Sequence, residues 1–368
     1  MKMFIVPCLL AWGLTAAAAA ETEVPGTADW TVDTPARAGD VKTAPFAGRP
    51  DALWLRANTH ALRKGVAFVD GVIEFDLAPM ERGDFAGLTF RRDSSTDYEN
   101  IYFRLSRSGE FMAVQYSPRV NGSSTWQLYP EFTAKADWPR NAWTHVRVEV
   151  RGSQLVVFVG NGTTPVLTVP RLRQDKAGRE VTFWARVNNK PAEWAAAVAN
   201  VAIRLDPRPT APLRPGSSPA GYISSWQVAG TEDFTGREIS PAPAGAEAWT
   251  AVTAEENGLV NLNRLFKAQP GRKLTAYART VLTSDTARRL QAGIGYSDDV
   301  VVFLNGERLY AGRNGWESRT PQFASFVDSR FETVWLPLRP GENELVLAVT
   351  DDQFFGWGFA VTTNVDKP

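Results

Sequence analysis

The chain is nearly devoid of cysteine and histidine. Of its 368 residues one is Cys and two are His. The cysteine, Cys8, lies in the apolar N-terminal stretch "MFIVPCLLAWGL", and the small residues of "TAAAAAE" follow it. With Met1-Lys2 in front, this pattern is that of a secretory signal cleaved after Ala20. Cys8 is followed by Leu9 rather than a small residue, which argues against a lipid anchor. Cleavage removes the only thiol, which excludes a disulfide framework and a cysteine nucleophile. A serine triad would have to recruit His60 or His145, and no His/Cys/Asp spacing fits zinc. Excess charge is also missing, with 40 basic residues against 40 acidic. A nucleic-acid or anionic-membrane footprint is not expected. The apolar N-terminal run is too short to span a bilayer, so no membrane span is expected once the signal is removed.

What is abundant is aromatic: 13 Trp, 20 Phe and 8 Tyr. Aromatics fill sandwich cores and line sugar sites alike. Residues 45–205 read as one β-rich unit. In "GVIEFDLAP" Ile73, Phe75 and Leu77 share one face, and Val72, Glu74 and Asp76 the other. "NIYFRLS", "WTHVRVEV", "QLVVFVG", "PVLTVP" and "VTFWARV" follow, each bounded by turn residues. Many short strands without helical periodicity predict a sandwich or jelly roll. "LDPRPTAPLRPGSSPAG" carries five prolines in 17 residues, so residues 206–221 are expected to be a stiff linker. A second β-rich unit, 222–366, includes "DDVVVFLNGERLY", where Asn305-Gly306 marks a type I′ hairpin. The expectation is an all-β chain: two β-sandwich (jelly-roll) domains joined by a Pro-rich linker.

Four constellations could carry chemistry. Glu74 and Asp76 share a strand face and are the alternative catalytic pair, because a retaining glycosidase needs two carboxyls about 5–5.5 Å apart. The next position on that face is Ala78, which leaves no third acid. Asp298, Asp299, Asp351 and Asp352 adjoin strands, so calcium is the one cofactor considered. The third is polar and aromatic. If neighbouring strands pair, Tyr102, Arg104, Gln115, Gln127 and Tyr129 form one exposed patch, with Arg119, Asn121 and Trp126 on a loop beside it. A planar ring with forked donors suits a sugar: CH face down, hydroxyls at the rim. In the second unit Arg313, Trp316 and Trp357 are the corresponding candidates, on loops of a rigid sandwich.

The ordered string "DGVIEFDLAP…FAGLTFRRDSSTDYENIYFRL…AVQYSPRVNGSSTWQLY…WTHVRVEVRGSQLVVFV…VTFWA" resembles the concanavalin A-like lectin/glucanase superfamily, in its laminin-G-like branch. The resemblance implies a two-sheet jelly roll with a sugar-binding sheet; Ala78 departs from the glucanase motif. "YARTVLTSDTARRLQAGIGYSDDVVVFLNGERLYAG…LPLRPGENELVLAVTDDQFFGWGF" resembles galactose-binding-like sandwiches. Such modules bind sugar or brace a neighbouring domain. The expected function is a secreted or periplasmic, non-catalytic protein that binds a glycan or polysaccharide. Two alternatives stay open: a glycoside hydrolase or lyase on the same folds, and an envelope module with a protein partner.

Overall fold

The computed structural model describes residues 29–32, 40–174, 178–190, 193–206, 220–234, 239–243, 248–269, 271–319 and 325–363. The signal segment and nearly all of the proline-rich linker lie outside the described residues. Every strand pair found among them is antiparallel.

Two seven-stranded sheets form the first sandwich. The front sheet runs Trp30–Val32, Thr59–Arg63, Glu180–Arg186, Phe85–Arg92, Glu99–Arg104, Val114–Tyr116 and Thr133–Ala134. The back sheet runs Leu167–Val169, Gln154–Val159, Thr144–Arg151, Gly71–Pro79, Trp194–Leu205, Arg49–Arg56 and Val41–Phe46. Strand alternation decides which residues meet. Ile73, Phe75 and Leu77 project between the sheets with Val146, Val148 and Val150, all buried to 1% or less. From the front sheet Leu88, Phe90, Ile101, Phe103 and Phe183 close the same core. Phe75 meets Phe183 across it edge-on, ring centroids 4.8 Å apart. The first unit also reaches upstream of residue 45. Trp30–Val32 pairs with Thr59–Arg63 at the sheet edge, a strand too short to leave an alternation signal.

In the second sandwich a six-stranded sheet runs Thr250–Thr253, Ser225–Asp233, Leu274–Ser284, Gly341–Asp351, Asp299–Leu304 and Glu307–Arg313. A four-stranded sheet runs Leu259–Asn261, Gly358–Thr362, Arg288–Ser297 and Thr333–Leu338. The expected hairpin is present: Asn305 and Gly306 take φ of 53° and 80°, as a type I′ turn requires.

The sandwiches are joined through residues 121–131 of the first. Gln127 is fully buried there. Its N–H donates to the Phe355 carbonyl and its own carbonyl accepts from Val327 N–H, each at 2.8 Å. Its Nε2 donates to the carbonyls of Ser325 and Asn314 at 2.8 and 3.2 Å, and its Oε1 accepts from Ser297 Oγ at 2.8 Å. Asn121 Nδ2 donates to the Asn263 carbonyl at 2.7 Å. Asn261 Nδ2 donates to the Tyr129 hydroxyl at 3.1 Å. Arg173 and Arg171 both reach Glu256, at 2.5 and 2.6 Å. Leu259, Val327 and Ala360 of the second sandwich pack into the core of the first.

Candidate functional site

The front sheet's outward face carries one transverse row across five strands. Register pairs His60 with Trp184, Trp184 with Gly87, Gly87 with Tyr102, and Tyr102 with Gln115. A glycine in the middle of a strand marks a close approach, and here the approach is Trp184. A Cβ on Gly87 would overlap the indole, so Trp184 lies across the space the glycine leaves open. Its Nε1 donates to Asn100 Oδ1 at 2.8 Å, and Asn100 is in turn tied to the Ser117 carbonyl at 3.1 Å. His60 stacks on the far side, 6.2 Å between ring centroids and 25° between planes. The indole is therefore a fixed platform, held at its edge and flanked along the row.

The next row contains Arg186, Phe85 and Arg104. Tyr102 Oη donates to Gln115 Oε1 at 2.5 Å, and Gln115 Nε2 donates to the Trp126 carbonyl at 2.8 Å. Burial pushes the Tyr102 phenol well above its ordinary value, against the opposing effect of the Arg104 charge, so it stays a donor. This chain of bonds locks the floor to the loop bearing Trp126.

The second sandwich supplies a roof. Trp316 meets Trp126 edge-on at 5.2 Å, and Phe355 does so at 5.8 Å. Gln353 Oε1 accepts from the Trp316 N–H, which fixes the start of that loop. Floor and roof border an open cavity of about 810 Å³ lined by both sandwiches. That is within the usual size of small-ligand sites, which favour domain interfaces. Glu317 and Phe354, on the rim, hold φ of 63° and 64°. Non-glycine residues in that region tend to cluster at binding sites.

Of the residues singled out from sequence, Tyr102, Arg104, Arg119, Trp126 and Trp316 line this cavity. Gln115, expected in the exposed patch, instead lies just beneath the cavity, fully buried, its amide taken up by Tyr102 and the Trp126 carbonyl. Gln127 and Tyr129 were expected on an exposed strand face, and that expectation needs correction. Residues 126–128 form a turn, where period-two alternation does not apply. Both side chains go into the junction between sandwiches, Tyr129 donating to Glu255 at 3.1 Å. Asn121 is spent in the same junction. Trp357 is not a surface ring either: it is 0% exposed in the second core, its Nε1 donating to the Val349 carbonyl at 3.0 Å. Its neighbours Phe354 and Phe355 are the ones that reach the cavity. Arg313 pairs with Asp299 and Asp352, at 2.9 and 3.0 Å, away from the lining.

Glu74 and Asp76 lie on the opposite sheet, on its outward face. Glu74 pairs with Arg204 at 2.5 Å. Asp76 is shared by Arg49 at 2.5 Å, His145 at 2.9 Å and Asn200 at 2.8 Å. A bulge between Ala199 and Ala202 brings Asn200 into reach.

The four aspartates near residues 298 and 351 are taken up by protein partners. Asp298 Oδ2 accepts the N–H groups of Asp352 and Gln353 at 2.9 and 2.8 Å. Asp352 is bound by Lys273 as well as Arg313, at 2.7 Å. Asp351 Oδ1 accepts the Phe354 N–H at 3.3 Å. Among the described residues no three or more His, Cys, Asp or Glu gather as a metal site. Burial holds the Asp351 carboxyl up, to about 7, and the nearby Asp298 charge adds to it. Burial raises Asp298 and Asp299 as well. An unfolded Asp titrates at about 3.9. The fold therefore binds the proton more tightly, and stability falls as pH rises from about 4 to 7. Asp351→Asn retains an acceptor for Phe354. It should raise stability at pH 8 by about 2–4 kcal/mol and change it little at pH 4, as read by urea unfolding. An equal gain at both pH values would contradict this assignment.

No protein-family model matches the chain, and no curated protein matches it. Solved structures do align with about half of it. The carbohydrate-binding module CBM66 from Bacillus subtilis is 16% identical over 47% of this chain and 93% of its own, with a TM-score of 0.35. The exoplasmic/lumenal domain of VIP36 in its calcium-bound form is 11% identical over 49% and 86%, at 0.36. A Bacillus licheniformis β-glucanase is 10% identical over 50% and 94%, at 0.32. The sandwich assignment stands on the strand pairing itself. Among the described residues no helix is long and apolar enough to cross a membrane.

Four lining or flanking residues were not among the sugar-site candidates: His60, Gly87 and Trp184 in the transverse row of the front sheet and Phe85 in the next. A signal existed for two of them. "VTFWARV" alternates, so Trp184 falls opposite Val181, Phe183 and Ala185, and "FAGLTF" carries an unexplained mid-strand glycine.

Proposed function

We propose that this chain is a non-catalytic glycan-binding protein that works outside the cytoplasm. The observation that carries the reading is the pinned Trp184 indole, lying over Gly87 inside a cavity with a polar rim. A sugar ring presents an apolar CH face to such a platform, while Asn58, Asn188 and Asn189 at the edge can serve its hydroxyls. Acid–base cleavage of a glycosidic bond calls for two carboxyls. The described lining holds one, Glu317. Glu74 and Asp76 are on the other sheet with partners of their own, so the hydrolase alternative finds no support at this site.

The test is a glycan array probed with the full chain, followed by titration of the strongest binder against Trp184→Ala. Half of an indole's roughly 150–250 Å² at about 25 cal/mol/Å² is worth about 2 kcal/mol. Trp184→Ala should therefore weaken binding about 30-fold. An unchanged dissociation constant would reject the site.

A further inference from the structure

Four arginines are buried among the described residues: Arg63, Arg92, Arg104 and Arg173. Three have a carboxylate. Arg63 reaches Asp29 at 3.2 Å, Arg92 reaches Glu180 at 2.5 Å, and Arg173 reaches Glu255 and Glu256. Arg104 has none. Its Nη1 approaches the Met112 thioether at 3.7 Å and its Nη2 the Tyr102 hydroxyl at 3.5 Å, while its buried Nε has no hydrogen-bond partner. The guanidinium instead sits among three rings: Phe85, Trp126 and Tyr102, with centroids 5.5, 5.4 and 5.9 Å away. Ring faces stabilise a cation only in part, and a buried charge without a counter-ion is costly.

This guanidinium is part of the cavity lining. Arg119 and Arg186 line the same cavity, and no carboxylate partner is found for either among the described residues. Glu317 is the one acid in the described lining. The site is thus cationic in a chain of zero net charge, and among the described residues its most buried cation has no carboxylate partner. Guanidinium binds a planar carboxylate through two parallel N–H···O bonds.

We propose that the cavity takes an acidic glycan, with the carboxylate of a hexuronate residue pairing with Arg104. This rests on the glycan-binding reading and specifies its ligand class. The rings around Arg104 keep water from competing, so the pair forms in a low-dielectric setting and discriminates charged from neutral sugars.

The test uses the full chain and matched probes. Oligosaccharides of galacturonate, glucuronate, mannuronate and guluronate are titrated beside the same chains with carboxyls reduced to hydroxymethyl groups. A sulfated neutral oligosaccharide is the third arm. At least one uronate should bind tenfold or more tightly than its reduced counterpart, and weaken as salt rises. In Arg104→Met that ratio should collapse toward one. The thermal midpoint of Arg104→Met should hold or rise, because the substitution removes an unpaired buried charge. Arg186→Gln, at an exposed rim position, should lower the ratio without any risk to folding. Preference for the reduced chains, or for the sulfated probe over every uronate, would overturn the proposal and leave glycan binding standing. Failure to bind any glycan would remove both. A large loss of stability in Arg104→Met would also overturn it, by assigning the guanidinium a structural role.

Discussion

Gly87→Val should abolish the proposed glycan binding while the sandwich stays folded. The expectation follows from the place of Trp184. The indole occupies the volume a Cβ at position 87 would need, so any side chain there must push it off the sheet. Trp184 is only partly buried and can swing toward the open cavity, at the loss of its bond to Asn100. The platform is then lost and its volume fills the site. Losing the stack alone costs about 2 kcal/mol, roughly 30-fold, and blocking the cavity adds to that. Valine also suits a strand better than glycine, so the thermal midpoint should change little. Circular dichroism and titration together check this. Binding retained within about threefold, where each tenfold is 1.4 kcal/mol, would mean that Trp184 is not the platform.

Gln127→Leu should be the most destabilising single change at the junction. The side chain satisfies two carbonyls and one hydroxyl, on Asn314, Ser325 and Ser297, all at buried residues. Leucine fills the space and pairs with none of them; the Ser297 hydroxyl keeps Asp298 Oδ1 at 3.2 Å, and the two carbonyls lose the Gln127 amide. An unpaired buried polar group costs about 1–3 kcal/mol, so the loss should reach about 3–5 kcal/mol by chemical denaturation. The same change should weaken glycan binding, since Trp126 and the Trp316 loop are held on either side of residue 127. A loss below about 1 kcal/mol would mean that water enters the junction and replaces those bonds.

The architecture was legible because antiparallel strands with one wet face write period-two alternation directly into sequence. "GVIEFDLAP" reads as the strand Gly71–Pro79, residue for residue. The Asn305-Gly306 turn was legible for the same local reason. The site was legible in part. Tyr102 and Arg104 follow from alternation on Glu99–Arg104, and Trp126 and Trp316 from their loops. Gln127 and Tyr129 misled because alternation was extended through a turn. Trp357 misled because glycines around an aromatic mark a tight backbone without saying whether the ring faces core or solvent. What no local pattern could supply was the transverse row. His60, Trp184, Gly87 and Tyr102 come from four separate strands, and only the register sets them side by side. The roof is further removed, coming from another sandwich some 200 residues along the chain.

The most direct measurement is oxidative footprinting of the tryptophans, read by mass spectrometry, with and without a bound oligosaccharide. Trp184 and Trp316 line the cavity and are partly accessible, whereas Trp335 is 54% exposed on the second sandwich and outside it. Bound glycan should protect Trp184 and Trp316 and leave Trp335 as reactive as before. Protection of Trp335, or of Trp143 just ahead of the back-sheet strand Thr144–Arg151, with Trp184 unprotected would contradict that placement.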